Sequence, residues 1–179
     1  TIIIVLAVTL GALIIMATVD KITSDITKED NNSTALSLSK QKGVEITISG
    51  EIQVPGTYLI PVNSTLSEAL NAAGGVKGNA DSKAYDVSFV LDKDYTFYIA
   101  PLFDVEDVCN SDPISKACIN SDDKTTIVAR TSLSDAQAQS VIDYRQANGA
   151  FKRIEDIQLV SGIGKATWEK AKKYITLSK

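Results

Sequence analysis

Histidine is absent from this 179-residue chain, and cysteine occurs only twice, at Cys109 and Cys118. The first absence removes the usual general base and the commonest transition-metal ligand. The second leaves too few thiolates for a zinc site of cysteines and histidines. With no paired carboxylates and no nucleophile–base set in view, the sequence predicts a protein that is not an enzyme and needs no cofactor or metal. Positive charge is also scarce over most of the chain. Residues 1–118 carry 8 Lys/Arg against 15 Asp/Glu, whereas residues 119–179 carry 10 against 7. Only the C-terminal third is electrostatically suited to a polyanion.

Polar residues are almost missing from the first stretch. Ile2 to Val19 (IIIVLAVTLGALIIMATV) contains no charge, and its polar residues are two threonines. As a helix it rises about 27 Å, close to the roughly 30 Å hydrocarbon core of a bilayer. A cleaved signal peptide has a shorter apolar segment, so residues 1–19 are expected to be a transmembrane anchor. Residues 20–43 are polar and aperiodic and read as a flexible linker. Cys109 and Cys118 bracket the polar segment NSDPISKA, which suits a small disulfide-closed loop within a connector over 103–118. Such a closure would stabilise by about 2–3 kcal/mol. It would also place everything after the anchor outside the cytoplasm, as in a single-pass protein with extracellular C-terminal domains.

From Val44 the pattern becomes regular. Val44, Ile46 and Ile48 alternate with Glu45, Thr47 and Ser49, the period of a half-buried strand. Pro55-Gly56 marks a turn before a second strand over 57–60. Thr65-x-x-Glu68 is a capping box for a short helix with Leu66, Ala69, Leu70 and Ala73 on its buried face. The segment YTFYIA (95–100) reads as a later strand. The fragment ISGEIQVPGTYLIPVNSTLSEALNAAGGV resembles the SLBB domain, a β-grasp module of extracytoplasmic bacterial proteins, and the resemblance extends over 44–102.

Residues 119–179 contain the helix SDAQAQSVIDYRQANGAF followed by KRIEDIQLVSGIGKATWEKAKKYITL. This part resembles the paired helix-hairpin-helix domain of the ComEA family, membrane-anchored DNA receptors of natural transformation. Anchor, SLBB module and helix-hairpin-helix in that order is the layout of that family in Gram-positive bacteria. The expected fold class is therefore multi-domain α+β: a transmembrane helix, a β-grasp domain and an all-α tandem helix-hairpin-helix domain.

The chemistry of the second hairpin can be read without the family. Gly162 and Gly164 leave no Cβ, so a phosphate can approach the backbone closely. The helix that follows begins with amides that lack intrahelical partners. The expected binding residues are Ser161, Gly162, Ile163, Gly164, Lys165, Ala166 and Thr167, with Lys170, Lys172 and Lys173 around them. Arg130, Arg145, Lys152 and Arg153 add positive charge nearby. The competing reading of Gly-x-Gly is a tight helix–helix turn, with Ile163, Trp168, Ala171 and Ile175 as core. Amide and lysine contacts to phosphates carry no sequence information. About 3–4 of them imply log K falling with log salt at a slope near −3.

The first hairpin departs from the family pattern. Ser132-Leu133-Ser134-Asp135-Ala136 stands where the family has Gly-hydrophobic-Gly and a basic residue, and Ser134-x-x-Gln137 forms a capping box of its own. This hairpin is expected to be mainly structural. The acidic residues near the second hairpin, Glu155, Asp156 and Glu169, read as solvated helix charges.

Two functions compete at this point. The first is a membrane-anchored receptor for double-stranded DNA, which self-associates through free SLBB sheet edges and passes DNA to a channel protein. The second is a surface scaffolding or ligand-binding protein whose helix-hairpin-helix module has lost DNA. A nuclease or repair accessory factor is a weaker third.

Overall fold

The alternation of Val44, Ile46 and Ile48 builds β1 (Gly43–Gly50), and these three side chains are buried. The computed structural model describes residues 43–104 and 112–179. The expected anchor over 1–19 and most of the linker lie outside the described residues. Among those described, no helix is long and apolar enough to cross a membrane. Gly43, expected in the linker, opens β1 opposite Pro61.

β1 is the central strand of a three-stranded sheet. It pairs antiparallel with β2 (Gly56–Pro61), Ile46 facing Tyr58. Two short strands, β3 (Ser64–Thr65) and β4 (Val90–Leu91), form an antiparallel ladder beside it. The other edge of the sheet is β5 (Tyr95–Ile99), parallel to β1 with Ile46 facing Tyr95. Helix α1 (Leu66–Ala72) lies between β3 and β4 in sequence and begins with the expected capping box. The Glu68 carboxylate accepts the Thr65 amide at 2.7 Å, and that bond holds its pKa below the usual carboxylate value. Leu66, Ala69 and Leu70 join Ile46, Ile48, Ile52, Phe97 and Ile99 in one core. Each fully buried Ile or Leu contributes about 1.5–3 kcal/mol.

The second half is helical, but not wholly. β6 (Ala117–Cys118) pairs in parallel with β7 (Ile175–Thr176), tying the two ends of the unit together. The all-α expectation is corrected by this ladder, which two-residue strands cannot announce in sequence. Between them run α2 (Lys124–Arg130), α3 (Asp135–Asn148), a 3-10 helix (Ile154–Leu159), α4 (Lys165–Ala171) and a 3-10 turn (Lys172–Tyr174). Ile119, Ile127, Leu133, Val141, Ile157, Ile163 and Trp168 meet in a second core.

The expected disulfide is also corrected. Cys118 is a free, buried thiol whose Sγ lies 3.3 Å from the Leu177 carbonyl oxygen. It sits in β6 and is buried, whereas its expected partner Cys109 falls outside the described residues.

The two cores touch. Ala84 and Ala100 belong to the second core although their chain segment belongs to the first module, and Tyr98 packs against it. The outer edge of β5 is covered by the 3-10 helix rather than by another strand. The Tyr98 amide donates to Glu155 Oε1 at 2.6 Å, and Arg153 Nη1 makes a long 3.5 Å bond to the Thr96 carbonyl. Acceptor and donor side chains thus stand in for the missing ladder partner of an edge strand. The Arg153 guanidinium also lies 4.5–5.7 Å from the ring centroids of Tyr95, Phe97 and Phe89, within cation–π range. Glu155, expected to be solvated, is only 8% exposed. Burial raises its pKa to about 7, against the lowering effect of the Tyr98 amide.

Candidate nucleic-acid interface

The two hairpins occupy one end of the helical unit and share a burial pattern. Leu133 and Ile163 point into the core, each 3% exposed, while Ser132, Ser134, Asp135 and Ala136 stand outside as do Gly162, Gly164, Lys165 and Ala166. Trp168 is 6% exposed and meets Tyr98 edge-on, so its packing role, with Ile163, Ala171 and Ile175, is borne out.

The backbones differ where the glycines differ. Gly162 has φ +84°, the left-handed region that favours glycine, whereas Ser132 is not among the described positive-φ residues. Gly164 is the N-cap of α4 with φ −91° and supplies no side-chain cap, so none occupies the amides of Lys165, Ala166 and Thr167. At the first hairpin the N-cap amide and one of the three corresponding amides are taken. The Ser134 amide donates to Gln137 Oε1 at 2.9 Å, and the Gln137 amide donates to Ser134 Oγ at 3.3 Å. Asp135, the counterpart of Lys165, forms an exposed ion pair with Lys124 at 3.6 Å.

Gly162 and Gly164 stand in different surroundings. An added Cβ at Gly162 would find Gln137 Cγ at 3.9 Å, ordinary contact distance, so its constraint is conformational. An added Cβ at Gly164 meets nothing within 4 Å, and its φ is open to any residue. The fold itself does not require glycine at 164. Ser161 completes the exposed turn, and Thr167 is half-buried on the first turn of α4.

The expected basic residues separate into two groups. Lys165 and Lys170 are exposed on α4 and form no ion pair with a described residue. Lys172 pairs with exposed Glu169 and lies 4.6 Å from the Tyr98 ring centroid. Lys173 pairs with Asp104 at 3.0 Å, which raises its pKa. Arg130 donates to the Lys116 carbonyl at 3.0 Å.

Two of the expected contact residues are engaged within the fold. Arg145 donates to the carbonyls of Ile119 and Asp122, both at 2.7 Å, and Arg153 is held at the β5 edge with an ion pair to Asp156. Lys152 is exposed but follows the C-terminal end of α3, a 14-residue helix. The hairpins lie at its N-terminal end, so about 20 Å of helix separates them from Lys152. Sequence reasoning missed Gln137 as a link between the hairpins: its Nε2 donates to the Gly162 carbonyl at 2.8 Å. Among the described residues no cluster of His, Cys, Asp or Glu could hold a metal.

An SLBB-type sheet with a helix-hairpin-helix unit closed onto its edge defines a two-module protein of the kind that pairs a β-grasp domain with a hairpin-bearing one. The SLBB domain family matches residues 46–87, and the helix-hairpin-helix motif family matches 116–176. ComE operon protein 1 of Bacillus subtilis (strain 168) is 31% identical over 143 residues, covering 75% of this chain and 70% of that protein. The chain belongs to the ComEA family of competence proteins. Endonuclease/exonuclease/phosphatase family domain-containing protein 1 of Homo sapiens is 31% identical over 88 residues. Those cover 42% of this chain but only 16% of that protein. Its counterpart in Xenopus laevis is 46% identical over 41 residues, 23% of this chain and 7% of that protein.

Proposed function

We propose that the chain is a membrane-anchored extracellular receptor that binds double-stranded DNA without sequence preference and passes it to an uptake channel. One observation carries the DNA reading. The Gly162–Gly164 hairpin has uncapped amides, Lys165 beside them, and a glycine at 164 that the fold does not need. A missing Cβ in open space leaves room for close approach from outside, and the group that suits free amides and a lysine is a phosphate. The anchor rests on the uncharged run from Ile2 to Val19. The extracellular placement and the hand-over to a channel rest on family membership.

Lys165 and Lys170, with Lys172 if its surface pair opens, give a log K against log salt slope of about −2 to −3. So few contacts make a single copy a weak binder. Several copies on one duplex, associating through the SLBB modules, would raise avidity by about 10²–10⁴.

The scaffolding reading draws on the first hairpin, which carries a capping box and an acidic residue, Asp135. Titration of mixed-sequence duplexes with the chain at several salt concentrations separates the two. Salt-sensitive binding indifferent to sequence is expected, and its absence at about 50 mM salt would favour the scaffold.

A further inference from the structure

The Gln137 side chain does more than cap its own helix. Its Oε1 accepts the Ser134 amide at 2.9 Å, while its Nε2 donates to the Gly162 carbonyl at 2.8 Å, across 25 residues of sequence. The same peptide group is fixed from its other side, because the Ile163 amide donates to the Val160 carbonyl at 3.1 Å. The peptide unit joining Gly162 to Ile163 is therefore held at both its oxygen and its nitrogen. It stands at the centre of the Gly-Ile-Gly hairpin, immediately before the uncapped amides of α4. Beneath it, Leu133 and Ile163 are both buried in the same core.

We infer that Gln137 is a positioning residue for DNA binding: the capped first hairpin acts as a fixed brace that holds the second hairpin in its phosphate-receiving shape. This gives the serine–aspartate hairpin a purpose although its Ser134 and Gln137 amides are occupied. It rests on the DNA reading above. A loop ordered before binding avoids the cost of ordering it on the ligand. Gln137 touches no phosphate, so its loss changes affinity without changing the number of counterions released.

Three versions of the full chain separate the possibilities. Gln137→Met keeps size and neutrality but removes both side-chain bonds. Ser134→Ala removes the other half of the capping box and leaves the bond to Gly162. Wild type completes the set. Circular dichroism confirms that each is folded, duplex titrations at four salt concentrations give affinity and slope, and hydrogen exchange without DNA reports on the Ile163 amide. Gln137→Met is expected to weaken binding about five- to tenfold at every salt concentration, the factor one neutral hydrogen bond is worth. Its slope stays parallel to wild type and its Ile163 amide exchanges faster. Ser134→Ala is expected to match wild type in affinity and in Ile163 exchange.

Wild-type affinity and exchange in folded Gln137→Met, or equal losses in both variants, would reduce Gln137 to a helix cap and overturn the inference. A wild type that binds no duplex would contradict the DNA reading, and the exchange data alone would then decide whether the brace exists.

Discussion

Gly162 and Gly164 make different predictions although they are two residues apart. Gly162 sits at φ +84°, so Gly162→Ala carries a conformational penalty of about 1–2 kcal/mol and lowers both melting temperature and DNA affinity. Gly164→Ala meets no neighbour within 4 Å and costs under about 1 kcal/mol as an N-cap change. It should nonetheless weaken duplex binding, because the new methyl lies where a phosphate must come close. Thermal unfolding beside duplex titration of each variant checks the contrast. A Gly164→Ala protein that binds as wild type would remove the close-approach argument.

Glu155 makes a prediction about pH. Its folded pKa is about 7, raised by burial, and its unfolded value lies near 4.3. The folded protein therefore holds the proton more tightly, and this group's contribution to stability is full below about pH 4.3. It is lost as pH rises to about 7, beyond which the loss levels off. Glu155→Gln keeps an acceptor for the Tyr98 amide and removes the buried charge. It should raise stability by about 1–3 kcal/mol at pH 8 and have little effect at pH 4. Equal effects at the two pH values in thermal unfolding would contradict the assignment.

At the scale of elements, the hairpins differ by three residues that can be exchanged. Placing Gly at 132 and 134 and Lys at 135 removes the Ser134 cap and the Asp135 carboxylate together. The variant should bind duplex more tightly, with a salt slope steeper by about 0.9 for the one added cation. Unchanged affinity and slope would mean that the first hairpin lies off the DNA path whatever its sequence.

The elements also show what one sequence makes legible. β1, α1 and the burial of Trp168 were readable because their signals are local: alternation, a capping box, an apolar helix face. The turn into α4 was readable because Gly-x-Gly is a local signal for a tight turn before a helix. The parallel pairing of β1 with β5, the two-residue β6–β7 ladder and the bond from Gln137 to Gly162 were not. Each joins positions at least 25 residues apart, and no periodicity encodes a distant partner. Glu155 misled for the same reason. Its polarity suggests solvent, while the atom that satisfies it is the main-chain amide of Tyr98, 57 residues earlier.

At the scale of the molecule, the described part of the chain is two modules joined by side chains that finish a sheet edge. Arg153 lies against three aromatic rings of the first module and belongs to the second. Arg153→Ala should cost about 1–3 kcal/mol of stability and speed exchange of the Tyr98 amide. It should leave the salt slope of DNA binding unchanged, because this guanidinium is committed to the junction. A shallower slope would return Arg153 to the phosphate contacts.

The measurement that tests the central claim most directly is an anisotropy titration of mixed-sequence duplex DNA with the full chain at several salt concentrations, wild type beside Lys165→Glu. The account predicts binding that ignores sequence, a log–log slope of about −2 to −3, and a Lys165→Glu protein that folds normally but binds far more weakly. Equal binding by the two proteins, or none by a folded wild type at about 50 mM salt, would contradict the phosphate-clamp account of the second hairpin.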